Sequence, residues 1–255
     1  MFNIYGRYNY IGQIDFNLRK MVLATKEQPP AEKESKLKKA YLITYNSAQV
    51  IGWSLVFLKA LTHLSEKKSV VGLYKEVEFW LKVSQTAALL ELLHSMLGLV
   101  RSSIFTALPQ VASRIFVLWC ILDPLLMKDA NTMNSIGFPM LLFAWSVTEI
   151  IRYSFYANTL MDNVPYVLQW CRYSFFLILY PMGVAGELIC IHQSLPRAKK
   201  TGMFTCPMPN KWNFGFDFVT FCYCLYVIYI PGFYHLFTYM LRQRKKVIGG
   251  KSKTE

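Results

Sequence analysis

Apolar positions along this chain gather in six blocks, approximately residues 41–64, 80–100, 111–127, 138–156, 166–192 and 214–241. An α-helix rises about 1.5 Å per residue, so roughly 20 mostly apolar residues span a bilayer. The pattern predicts an all-α membrane protein, a bundle of six transmembrane helices. The last two blocks are long enough to tilt, kink or run past the lipid. Residues 1–39 mix both charge signs with Pro29 and Pro30 and read as a polar, poorly ordered lead. Residues 40–241 form the membrane domain and 242–255 a basic tail. No internal repeat and no soluble domain is legible.

Charge sharpens the topology. The net charge is +13, from 28 Lys plus Arg against 15 Asp plus Glu. Most of it lies outside the apolar blocks, so lipid headgroups explain it and no nucleic-acid partner is expected. Six spans put both termini on one side, and the basic residues assigned to that side outnumber those opposite. Both termini are therefore expected to be cytosolic. No compact apolar core follows the first basic residues, so a cleavable signal peptide is not expected. The terminal "KSKTE" resembles a dilysine retrieval signal. That signal needs a cytosolic tail and predicts a multi-pass protein of the endoplasmic reticulum membrane.

Cysteine and histidine exclude several chemistries. Cys120, Cys171, Cys190, Cys222 and Cys224 fall in the apolar blocks and Cys206 lies in a connection, without disulfide or zinc spacing. The stretch "CIHQSLP", residues 190–196, has the spacing of a phosphatase nucleophile loop, but proline occupies the place of the phosphate-binding arginine. It also lacks a glycine-rich cradle, which argues against phosphatase chemistry. Four histidines, scattered along the chain, are too few for a di-iron oxygenase. No metal site is expected.

Ionisable residues inside apolar blocks are costly and ask for a partner or a function. In "LLELLHSMLGLVRSS", Glu91, His94, Gly98 and Arg101 return to one helical face, so the acid and the histidine can meet. Arg114 is a candidate contact for a phosphate or a carboxylate, and Asp123 reads as an acid that reaches an interface. In "AWSVTEIIRYSFY", Trp145, Glu149, Arg152 and Tyr156 form one stripe, with Glu149 and Arg152 spaced as an ion pair. With Tyr153 beside them, that face must meet protein or a cavity.

The fifth block holds "LYPMGVAGEL". Seven residues turn a helix by about 700°, so Tyr180 and Glu187 share a face, about 10 Å apart along the axis. Pro181 should bend the helix, while Gly183 and Gly186 remove bulk and leave an open strip for a ligand. A carboxyl in apolar surroundings is a usable acid or base near neutrality, and a phenol stabilised by a cation such as Arg152 can join it. A structural hydrogen-bond network is the competing reading.

The motifs "LLELLHSMLGLVRSS", "QVASRIFVLW", "AWSVTEIIRYSFY", "LYPMGVAGEL", "KKTGMF" with "PNK", and "MLRQRKKV" occur in order over residues 40–246. In them the chain resembles the 3-hydroxyacyl-CoA dehydratases of the endoplasmic reticulum, also called protein tyrosine phosphatase-like proteins. The resemblance implies dehydration of long- and very-long-chain (3R)-3-hydroxyacyl-CoA to trans-2-enoyl-CoA, the third step of fatty acid elongation. It implies Tyr180 and Glu187 as the catalytic pair, with Glu149, Arg152 and Tyr153 supporting. Glu91, His94, Arg101, Arg114 and Gly183 complete the expected supporting set. No cofactor is expected, because coenzyme A belongs to the substrate. Expected partners are membrane lipid and the other cycle enzymes: elongase, ketoacyl reductase and enoyl reductase. Tyr180 is the expected base at C2 and Glu187 the acid at the departing hydroxyl, with the reverse division open. The alternative is a non-catalytic scaffold of the elongation machinery. A transporter would want a repeat and paired broken helices.

Overall fold

A computed structural model describes residues 36–100, 104–128 and 134–249. The expectations for the N-terminal lead, Arg101 and the "KSKTE" tail fall outside these residues. The chain divides into two units, Met1–Ala40 and Tyr41–Glu255, and the site lies in the second. The described residues are helical apart from short connections and one isolated bridge between Cys206 and Phe216.

Among the described residues eight α-helices follow in order: α1 Lys36–Lys67, α2 Leu73–Ala87, α3 Leu89–Met96, α4 Ile104–Phe116, α5 Gly137–Leu160, α6 Tyr166–Ser174, α7 Phe176–Thr201 and α8 Phe218–Ile248. A π-helical segment, Val117–Leu126, continues α4. Pro124 lies inside it and cannot donate the ordinary i→i−4 bond, and Met127 N–H bonds back to Leu122 O, one residue further than in an α-helix.

Helix ends follow local chemistry. Gly72 at φ 84° precedes α2, and Gly202 at φ 64° closes α7, both in the left-handed region that glycine enters freely. Asp217 caps α8 by accepting from Thr220 N–H at 2.8 Å. The second apolar block departs from expectation. It is divided near Ala88, and α3 stops at Met96 before Gly98 turns the chain at φ 66°. The single helical face expected from Glu91 to Arg101 therefore ends before Gly98. The fifth block is loosened at Phe175 and then runs to Thr201, nine residues past its expected end at position 192.

Among the described residues, three segments are long and apolar enough to cross a membrane: Leu108–Leu126, Phe176–Thr201 and Phe218–Ile248. Leu118, Ile121, Leu122, Leu125 and Leu126 of the π-helical segment are fully buried and pack with Leu141, Trp145 and Ile191 in the core. Helix α5 packs most extensively against α7. Small residues set that approach, as expected where lipid removes the hydrophobic driving force between helices. A methyl group on Gly186 would meet Leu141 N at 2.7 Å and Gly137 O at 2.9 Å.

Candidate active site

The close α5–α7 seam brings the two expected polar stretches together. From α7, Glu187 is buried and accepts two hydrogen bonds. Trp145 Nε1–H of α5 donates to Oε1 at 2.9 Å, and the Tyr229 hydroxyl of α8 donates to Oε2 at 2.8 Å. Both carboxyl oxygens of Glu187 are thus hydrogen-bonded across helices, one to α5 and one to α8.

Tyr180 lies two turns earlier on α7 and is half-buried. Its ring stacks on Phe233 of α8, with centroids 5.1 Å apart and planes 3° from parallel, and on Phe237 at 6.4 Å. Its hydroxyl has no hydrogen bond among the described residues. Tyr180 and Glu187 therefore share no direct contact, in line with their helical spacing. Each is held by α8 instead: Tyr229 holds the acid, and Phe233, one turn on, holds the phenol.

A charged ladder lies beside this pair. Arg152 grips Glu91 with both terminal nitrogens, at 2.8 and 2.7 Å, and reaches Glu149 through Nε at 2.8 Å. Glu149 is 1% exposed and also binds Arg114. Two guanidiniums thus neutralise two carboxylates. The Tyr153 hydroxyl donates to Glu91, and Gln49 Nε2 of α1 lies 3.2 Å from the Tyr153 oxygen and 3.2 Å from Ser84 O. Arg114 also rests over the Trp145 ring, 5.7 Å from its centroid, which joins the ladder to the indole that binds Glu187.

Several expectations change here. His94 does not pair with Glu91; it lies 2.9 Å from the Tyr41 hydroxyl, because the interhelical fork of Arg152 satisfies Glu91 at both oxygens. Arg152 does not stand by Tyr180, since its cation is committed to Glu91 and Glu149. Arg114 makes a carboxylate contact, to Glu149. Asp123 pairs with Lys82 at 2.6 Å and accepts from Tyr74 at 2.8 Å. Burial, and then that bond, push the Tyr74 phenol well above its usual range. Gly183 and Gly186 do not border an open strip. Helix α5 fills their faces, with Ala144 Cβ 3.3 Å from a methyl built on Gly183.

Cys190 is fully buried. That burial adds to the case against a phosphatase thiolate, which needs access to its substrate. Among the described residues, no group of three His, Cys, Asp or Glu side chains is placed to hold a metal. Sequence reasoning missed Tyr229 and Gln49, and read Trp145 only as part of a stripe. The available signal was a hydrogen-bonding side chain inside an apolar run.

A family model described as "Protein tyrosine phosphatase-like protein, PTPLA" matches residues 85–250. Very-long-chain (3R)-3-hydroxyacyl-CoA dehydratase hpo-8 of Caenorhabditis elegans is 45% identical over 84% of this chain and 96% of its own length. Dehydratase 1 of the same name from Ovis aries is 44% identical over 83% of this chain and 72% of its own. Dehydratase 2 from Homo sapiens is 39% identical over 83% of this chain and 82% of its own. No solved structure matches. The chain belongs to the protein tyrosine phosphatase-like protein family, whose members include the very-long-chain (3R)-3-hydroxyacyl-CoA dehydratases.

Proposed function

We propose that this protein removes water from long- and very-long-chain (3R)-3-hydroxyacyl-CoA to give trans-2-enoyl-CoA, within the fatty acid elongation cycle. The observation that carries the reading is the buried Glu187 carboxyl, bonded at both oxygens and facing α8 together with Tyr180. The names of the relatives support the substrate class.

The contacts favour the reverse of the first-expected division of labour. Among the described residues no cation stands against Tyr180 to stabilise a phenolate, whereas Glu187 accepts a hydrogen bond at each oxygen. Glu187 takes the C2 proton, which the thioester acidifies. The electron pair is held first as the thioester enolate and then forms the C2–C3 double bond as the C3–oxygen bond breaks. Tyr180 gives its proton to the leaving hydroxyl, which departs as water. Glu187 then loses its proton and the Tyr180 phenolate regains one, which resets the pair. The ladder of Glu91, Arg152, Glu149 and Arg114, with Tyr153, holds α5 so that Trp145 meets the acid. No metal or redox cofactor enters.

The same reading places six spans in the endoplasmic reticulum membrane, with both termini cytosolic and the acyl chain between helices. The coenzyme remains at the cytosolic face, within reach of the other elongation enzymes. The lead 1–39 and the tail 242–255 flank the membrane domain. The test is dehydration of a long-chain 3-hydroxyacyl-CoA by purified protein, with solvent-deuterium exchange at C2 followed in parallel. Tyr180→Phe should lose dehydration and keep exchange, and Glu187→Gln should lose both. Near-normal dehydration by both variants would sink the assignment. Exchange kept by Glu187→Gln but lost by Tyr180→Phe would restore the first-expected division.

A further inference from the structure

Tyr229 has no part in the expected site, yet its hydroxyl lies 2.8 Å from Glu187 Oε2. It belongs to a stripe of α8 that faces α7: the Tyr226 hydroxyl donates to Leu188 O at 3.2 Å, Tyr229 meets Glu187, and Phe233 and Phe237 stack on Tyr180. Tyr223, Tyr234 and Tyr239, on the same helix, are exposed. The phenol at 229 is therefore set apart from the other tyrosines by its partner.

The two donors on Glu187 differ in one chemical respect. An indole N–H can only donate, so Trp145 leaves Oε1 an acceptor in every protonation state. A phenol both donates and accepts, so the Tyr229 hydroxyl can turn. When Glu187 is ionised, Tyr229 donates to Oε2. When Glu187 holds the C2 proton, that proton resides on Oε2 and Tyr229 accepts it as a hydrogen bond. We infer that Tyr229 is the positioning residue that lets Glu187 change protonation state while both carboxyl oxygens keep a hydrogen-bond partner. Trp145 fixes the other oxygen and with it the direction of the carboxyl.

The inference rests on the reading of Glu187 as catalytic. Tyr229→Phe keeps the ring and removes only the hydroxyl. Loss of one hydrogen bond to a charged group should lower kcat by roughly ten- to hundredfold. KM should stay within about twofold, because Tyr229 acts through Glu187 and not on the substrate. Residues that act through one another are non-additive, so Glu187→Gln/Tyr229→Phe should be no slower than Glu187→Gln alone. A second readout does not depend on turnover: the infrared carboxyl band of Glu187, identified by its loss in Glu187→Gln, should shift in Tyr229→Phe. An unshifted band, wild-type kcat in Tyr229→Phe, or losses that multiply in the double variant would each overturn the inference. Normal dehydration by Glu187→Gln would instead remove the reading of the site on which it stands.

Discussion

Replacing Gly186 by alanine perturbs the contact on which the whole site is assembled. The new methyl carbon would lie 2.7 Å from Leu141 N, 2.9 Å from Gly137 O and 3.0 Å from Leu141 Cβ. Comfortable contacts are near 3.5–4.0 Å, and two of these neighbours are backbone atoms that cannot swing aside, so α5 and α7 must separate locally by about 0.5–1 Å. The Trp145–Glu187 bond, now 2.9 Å, crosses the same seam and would stretch beyond useful geometry. Overpacking of this kind costs about 1–3 kcal/mol. At roughly 2–4 °C per kcal/mol for a chain of this size, purified Gly186→Ala should melt roughly 2–12 °C below wild type. It should also lose most of its dehydratase activity. Gly232, with nothing within 4 Å of its added methyl, supplies the control and should tolerate alanine with no loss of melting temperature. Wild-type melting and turnover in Gly186→Ala would refute the close-packed seam.

Other substitutions test separate parts of the description. Glu149→Gln preserves shape but strands Arg114 and weakens Arg152, and should destabilise by about 3–5 kcal/mol in detergent unfolding. Exposed Lys67→Met, which breaks only the open pair with Glu76, should leave melting unchanged. Tyr153→Phe removes a donor from Glu91 and a partner from Gln49, and should cost about 1–3 kcal/mol. Cys190→Ala should retain dehydration within about twofold, since the thiol is buried and takes no part in the proposed chemistry. A selective loss of turnover in that variant would reopen thiol chemistry.

Local periodicity made part of this arrangement legible. Glu149 and Arg152 stand three residues apart, and they pair as that spacing dictates. Helical repeat also put Tyr180 and Glu187 on one face without contact between them. Glu91 exposed the limit of the method. Its nearest helical candidate was His94, but the chain turns at Gly98, and a guanidinium from α5 offers a bidentate fork that an imidazole cannot match. Gly183 and Gly186 show a second limit. Absence of a side chain reads equally as room for a ligand or room for a helix, and only the position of Leu141 and Ala144 decides. Tyr229 lies 42 residues from the acid it holds, a pairing that no short-range pattern encodes.

The neutral ladder has a consequence for how the chain is made. Within the proposed topology α3, α4 and α5 leave the ribosome in that order, and each ionised side chain left alone in lipid costs roughly 2.5–3.5 kcal/mol on insertion scales. Helix α5 contains its own Glu149–Arg152 pair and enters internally compensated. Glu91 and Arg114, by contrast, have no complement of this kind until α5 reaches them. Assembly therefore waits on a segment synthesised after the two it neutralises. A nascent chain cut before Gly137 would present two orphan charges to the bilayer, the kind of signal by which quality-control machinery distinguishes an unfinished membrane protein from a finished one.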